Sequence, residues 1–299
     1  MKSKIFIMNG KMNFNIKFKS FLTKISPIFN IKFNYWYYYR RPLNLNKPLL
    51  FDEKIQWLKL YEYHKDIYCI CADKYKVRDY VRGKGLDYIL NELIVVYEDV
   101  DDIDWAILPN KFVLKWNFGN GFNIICNNKA ELDINTIKKR LKRWGKVQSY
   151  LIHAEMQYKN IPKKIVCEKY LHGKSGNSLP EDFKVYCFNG KPCYILVCQG
   201  REYGRPKFYF FTADWQLARI NKDSIDAPRD FAIPKPQVLN DVLTYSRILS
   251  EDFKFVRVDF YIVDNKVYFG ELTFSPSGGF DVYRLPETDK LFGNLLALT

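Results

Sequence analysis

Residues 1–50 contain no aspartate or glutamate, although they hold ten lysines and arginines: Lys2, Lys4, Lys11, Lys17, Lys19, Lys24, Lys32, Arg40, Arg41 and Lys47. That absence relocates the charge of the chain. Of 47 basic residues, 37 remain beyond residue 50 against 33 acidic ones, so a formal +14 overall becomes +4 for the body. A nearly neutral body speaks against nucleic acid as the partner, because backbone recognition needs a cationic surface on the folded domain. Histidine is scarce: His64, His153 and His172 form no metal-ligand spacing, which excludes an ordinary zinc site. No CxxC pair exists. The seven cysteines are odd in number, and several sit in apolar runs such as Ile124-Ile125-Cys126 and Ile165-Val166-Cys167. This predicts reduced, buried thiols in a cytoplasmic chain rather than a disulfide framework. No run approaches the roughly 18 apolar residues of a spanning helix, and no apolar core with a small-residue cleavage site marks a signal peptide. A Ser–His–Asp or Cys–His arrangement is likewise missing.

What is present begins with apolar mass. Hydrophobic residues make up 47% and aromatics 17% of the 299 residues, enough for a substantial core and too many for a disordered chain. In the basic leader, residues 1–41, Phe14, Phe18, Phe21, Leu22 and Ile25 recur at helical spacing with Lys17, Lys19 and Lys24 between them, until Pro27. Two expectations follow: an amphipathic helix lying on the inner face of an anionic membrane, or a leader packing its aromatics on the body. A region over 42–110 follows, with a helix opened by Asp52 and a second predicted from near Ala72 through Val81. From residue 111 come two strands, Lys111–Lys115 and Ile124–Cys126, then a basic helical stretch over 131–159, after which alternating strands dominate. The expected class is α+β with mostly antiparallel sheets, a small lobe over 111–167 and a large lobe over 168–299.

Arg257, Asp259 and Tyr261 alternate along one strand and share a face, and Glu271 and Thr273 share a face of the strand returning after Asp264-Asn265-Lys266. Two carboxylates across a hairpin repel unless a cation lies between them, which suits Mg²⁺ held by carboxylates and phosphates. A surface ion pair reads the same pattern equally well. Lys115 ends a strand before a turn with Gly119 and Gly121, a loop able to close over phosphates or simply a hairpin. Lys74 follows Asp73, with Arg78 one turn later, and an exposed helix face is the alternative. Glu168 ends a strand where it can accept from an adenine amino group or a ribose hydroxyl, and Lys184 opens the next strand. Exposed strand ends explain both as well. Asp99-Val100-Asp101 and Asp102-Ile103-Asp104 formally match the Asp-x-Asp of glycosyltransferases.

The ordered set resembles the ATP-grasp superfamily, and within it the teichuronopeptide-biosynthesis (TupA-like) branch associated with capsule and surface polysaccharides. The similarity spans roughly 42–295. It is carried by Pro48–Lys54, Asp73-Lys74-Tyr75, Leu108-Pro109 with Phe112–Lys115, Glu168-Lys169-Tyr170, Asp182-Phe183-Lys184 with Cys187–Gly190, and Arg257–Tyr261 with Gly270–Thr273. The last block also resembles D-alanine–D-alanine ligases. The resemblance implies two α+β lobes clamping ATP, with Asp259 and Glu271 as Mg²⁺ ligands and Arg257 steadying a negative intermediate. It implies Lys74, Lys115 and Lys184 on the nucleotide phosphates, Glu168 at the adenosine, and the loop over 117–123 as a cover. Thr273 departs from the asparagine that many of these ligases carry, which weakens a second metal site. The implied activity is carboxylate–amine ligation through an acyl phosphate, joining an amine to a uronic acid of a surface glycan. A glycosyltransferase, or a small-molecule kinase on the same fold, is the alternative.

Overall fold

The computed structural model describes residues 10–173, 180–200 and 206–298, with side chains of the first helix from Ile16 onward. Lys2, Lys4, the side chains of Lys11 and Phe14, and residues 174–179 lie outside it. Two leader helices, α1 (Gly10–Ile25) and α2 (Pro27–Tyr39), precede α3 (Phe51–Tyr61), α4 (Asp66–Ala72) and α5 (Val77–Gly83). A four-stranded antiparallel sheet follows, ordered β1–β4–β2–β3, from β1 (Leu93–Tyr97), β2 (Phe112–Trp116), β3 (Asn123–Cys126) and β4 (Ile165–Lys169). The helices α6 (Ile134–Gly145) and α7 (Tyr150–His153) lie between β3 and β4 in sequence. The second sheet is six-stranded and antiparallel, ordered β10–β9–β5–β6–β7–β8. Its strands are β5 (Glu181–Phe188), β6 (Lys191–Gln199), β7 (Lys207–Thr212), β8 (Leu217–Ala218), β9 (Phe255–Val263) and β10 (Lys266–Thr273), accompanied by α8 (Lys222–Ile225), α9 (Leu239–Ser250) and α10 (Pro286–Leu295). The class is α+β, as expected.

Three helix expectations are corrected. The helix predicted from Ala72 through Val81 is two helices. The Asp73 carboxylate accepts from the backbone amides of Tyr75 and Lys76, turning the chain instead of extending it. Pro27 does not merely stop the leader helix; it starts another. Ser26 caps α2 with Pro27 at its first position, where the missing amide hydrogen costs nothing. The basic stretch over 131–159 likewise breaks into α6 and α7 around residues 146–149.

Alternation along the large sheet explains how the site arises. One face carries Phe183, Val185, Val256, Val258 and Phe260, all buried, with α9 packed against the sheet and Trp215 against Phe183. The opposite face changes character along its length. At one end Phe188 and Phe255 pair across strands and meet Phe51 of α3 and Phe292 of α10 in an edge-to-face aromatic cluster. Two residues further along, Tyr186 still meets Phe292 of α10, while Arg257 opposite it begins a charged stretch of the same face.

Candidate active site

Three cross-strand rows make up that charged region. Tyr186, Arg257 and Thr273 form the first, with Arg257 opposite both others; Lys184, Asp259 and Glu271 form the second; Asp182, Tyr261 and Tyr268 form the third. The register of β10 shifts between Phe269 and Glu271, so Gly270 is an extra residue that turns Glu271 onto this face opposite Asp259. A Cβ at Gly270 would lie 2.9 Å from the Asp259 carbonyl oxygen, a contact no side chain tolerates.

Within the rows, Arg257 binds Asp259 with both arms of its fork, Nε to Oδ1 at 2.7 Å and Nη2 to Oδ2 at 2.6 Å, and donates from Nη2 to Thr273 Oγ1 at 3.1 Å. Lys184 Nζ donates to Asp259 Oδ2 at 2.8 Å and to Asp182 Oδ1 at 2.9 Å. Thr273 Oγ1 donates onward to Glu271 Oε1 at 3.3 Å. Burial alone would raise the Asp259 carboxyl, but Arg257 and Lys184 outweigh it and hold the group below the usual carboxylate range. Burial pulls Arg257 and Lys184 down, and the Asp259 charge beside them more than reverses this, so both remain cations.

The small sheet supplies the facing wall. Val113 and Lys115 of β2, Asn123 and Ile125 of β3 and Glu168 of β4 point the same way. Lys115 Nζ donates to Glu168 Oε2 at 2.7 Å, and Arg78 Nη1 stands 3.7 Å from Glu168 Oε1. Burial opposes ionisation of Glu168, but Lys115 and Arg78 prevail and lower its carboxyl. Glu168 is not an exposed strand end and Arg78 is not on an exposed helix face: both are buried. Lys74 leaves the turn between α4 and α5, its backbone amide bonded to the Asn117 carbonyl and its Nζ to the Gly119 carbonyl at 2.6 Å. The same Nζ lies 3.6 Å from Glu271 Oε2. Lys74 therefore ties the glycine loop, where Gly119 and Gly121 hold φ of +65° and +79°, to the large sheet.

Between the walls lies a cleft of about 230 Å³ whose lining includes Lys74, Lys115, Lys184, Asp259, Gly270 and Glu271. An apolar recess, with Val113, Ile125, Tyr170 and Phe269 among its walls, adjoins it through the shared residues Lys115, Asn123, Glu168 and Tyr261. A model of the TupA-like ATP-grasp family matches residues 53–297. This chain belongs to that family. The family match leaves the two leader helices outside it. Among solved structures, the ATP-grasp chain is similar to the D-alanine–D-alanine ligase of Bacillus anthracis complexed with ATP, at 16% identity and a TM-score of 0.42, covering 75% of this chain and 61% of that one. It is also similar to the ATP-grasp ligase PsnB complexed with a phosphomimetic variant of its minimal precursor, Mg and ADP (10%, TM-score 0.44, 81% and 64%). The Helicobacter pylori D-alanine–D-alanine ligase is a third (13%, TM-score 0.40, 84% and 68%). The chain spans only 61% and 64% of the first two ligases. No curated protein matches.

The structure brings together all ten residues singled out from the sequence: Lys74, Lys115, Gly119, Gly121, Glu168, Lys184, Arg257, Asp259, Glu271 and Thr273. Sequence reasoning passed over Asp182, Gly270 and Tyr261 as site residues, and left Arg78 as a face of an exposed helix. Asp182 was legible in principle, since it lies two residues before Lys184 on the same strand. The acidic turn Asp99–Asp104 lies elsewhere: its four aspartates are exposed, Asp101 pairs with Lys142 at 2.6 Å, and none lines the cleft. Among the described residues no group of three or more His, Cys, Asp or Glu gathers as a metal cage, and no helix is long and apolar enough to cross a membrane.

Proposed function

We propose that this protein is an ATP- and Mg²⁺-dependent carboxylate–amine ligase that forms an amide by way of an acyl phosphate, acting on a uronic acid of a surface glycan. The observation that carries the reading is the cross-strand row Lys184–Asp259–Glu271, facing Lys74 and Lys115 across one cleft. A cleft with cations on both walls and a pair of facing carboxylates, Asp259 and Glu271, on the large sheet is suited to a polyphosphate with its metal. The glycan part rests on the family resemblance alone.

The donor set fits Mg²⁺. Asp259 and Glu271 are hard oxygen ligands directly opposite each other, and the ion characteristically takes one or two carboxylates and completes its shell with phosphate and water. Asp259 and Glu271 would hold it, with the Thr273 hydroxyl beside them already engaged by Arg257 and Glu271. Bound there, the ion would offset phosphate charge. The protein's own cations are paired with carboxylates: Lys184 with Asp182 and Asp259, Lys115 with Glu168, Lys74 with Glu271. Phosphate oxygens entering the cleft would exchange for these partners, so the cations cost no reorganisation beyond that exchange. The apolar recess suits an adenine ring, with Glu168 and Asn91 at its polar edge. Arg257, fixed by its fork to Asp259, would steady charge on the phosphoryl group. The substrate carboxylate oxygen attacks the γ-phosphorus and ADP leaves; the amine nitrogen then attacks the acyl carbon and phosphate leaves. Positioning and charge stabilisation supply the rate, and no nucleophilic side chain is required.

The test is ATP turnover with uronic acids and small amines supplied together and separately. ADP, phosphate and an amide formed only when both are present is the expected result. A stable phosphorylated product without amine dependence would make it a kinase, and AMP with pyrophosphate would replace the acyl phosphate by another activation.

A further inference from the structure

The leader helices bury polar residues beside Leu22, Ile31 and Tyr35, and expose a large apolar face. The residues they bury against one another and against the body include Thr23, Asn30 and Asn34, each with side-chain hydrogen bonds: Thr23 Oγ1 to the Leu151 carbonyl at 2.6 Å, Asn30 Nδ2 to the Lys19 carbonyl at 2.6 Å, Asn34 Nδ2 to Asn30 Oδ1 at 2.9 Å. Outward they present Phe21, Ile25, Ile28, Phe29, Trp36 and Tyr37, each between 41% and 63% exposed. Water-facing helices of a soluble protein carry the opposite pattern. The exposed faces are continuous, because Phe18 of α1 meets Phe33 of α2 edge to face at 5.5 Å and Phe33 stacks on Tyr37 at 6.4 Å. Four exposed cations, Lys17, Lys24, Lys32 and Arg40, are interspersed, and no anion occurs anywhere in residues 1–50.

We propose that this aromatic, cationic face of α1 and α2 docks on the surface of a lipid bilayer rich in anionic headgroups. Aromatic and aliphatic side chains would enter the headgroup boundary while the lysines and Arg40 meet lipid phosphates, the arrangement of an interfacial helix. Charge selects this occupant over a second copy of the chain, which would bring the same unrelieved positive charge to the contact. Trp36 and Tyr37, with Arg40 over both rings at 5.4 Å, have the amphipathic chemistry of the membrane interface. Both helices lie outside the family match, so the surface is an addition to the ATP-grasp body. It does not depend on the ligase reading.

The test is co-sedimentation of the full chain with vesicles of phosphatidylcholine, with and without phosphatidylglycerol. One variant removes the apolar contacts (Phe21→Ser, Ile25→Ser, Phe29→Ser together) and one the charge (Lys17→Gln, Lys24→Gln, Lys32→Gln together). Wild type is expected to partition onto the anionic vesicles only, and less at high salt. Each lysine near an anionic surface contributes roughly fivefold, so the charge variant should partition more than about tenfold less. The apolar variant should lose binding as well, and both should keep the wild-type melting temperature. Absence of vesicle binding, equal binding to both vesicles, or unchanged binding in both variants overturns the proposal. A concentration-dependent dimer abolished by the apolar variant, without vesicle binding, gives the face to a second copy.

Discussion

Lys184 and Asp259 stand directly opposite each other on neighbouring strands, 75 residues apart in sequence, and their charges meet at 2.8 Å. Arg257 grips the same carboxylate from two residues along its own strand. One buried carboxylate is thus shared by two half-buried cations, and the consequences of removing it differ from those of removing its neighbour Glu271.

Asp259→Asn should abolish ATP turnover and also lower stability by roughly 3 kcal/mol, because it removes the buried carboxylate that Arg257 and Lys184 share and leaves them only Glu271 and Asp182. Glu271→Gln should abolish turnover with a stability change within about 0.5 kcal/mol, since that side chain is 31% exposed. Denaturant unfolding alongside ATPase assay separates the two. Wild-type turnover in either variant would remove the metal assignment.

Gly270→Ala tests the bulge. The added Cβ meets backbone at 2.9 Å, which a side-chain rotation cannot relieve, so the strand must move. An overpacking cost of about 1–3 kcal/mol is expected. Glu271 should be displaced from its place opposite Asp259, so kcat should fall more than the stability loss accounts for. Turnover unchanged at a temperature where the variant is fully folded would mean that Glu271 needs no bulge to do its work.

Lys59 gives a pH test. It is wholly buried, donating to Gln56 Oε1 and to the Gly278 carbonyl, both at 2.8 Å, behind the short loop Pro276–Gly279 that follows β10. Burial lowers its ammonium from 10.5 to about 7, against an opposing pull from Glu155. Between those values the unfolded chain binds more protons than the folded one, so this group makes stability rise as pH increases from about 7 towards 10.5. Lys59→Met removes that contribution. The stability of wild type relative to the variant should therefore climb across this window in urea titrations at successive pH values. A flat difference would show that Lys59 titrates in the folded protein much as it does in the unfolded chain.

Much of the site was legible because β-strand geometry is local. A two-residue period puts Arg257 beside Asp259 and Glu271 beside Thr273 on one face whatever the rest of the chain does, and positive-φ glycines mark the loop after Lys115. The turn at Asp73 and the second leader helix at Pro27 were misread for a local reason too. Asp73 and Ser26 bond backbone amides nearby, and helical spacing alone does not register such competition.

By itself, then, the sequence determined the strand faces, the family and the basic character of the leader, because these follow from residue order and residue type. Only the tertiary structure decided that Lys184 meets Asp259, that Arg78 and Lys115 flank a buried Glu168, and that the leader buries Asn30 and Asn34 while exposing Phe21, Phe29 and Trp36. Those outcomes depend on which strands pair and which surfaces are left over once the sheets have closed. Coulomb attraction and burial act through distance in space, and sequence separation does not encode that distance.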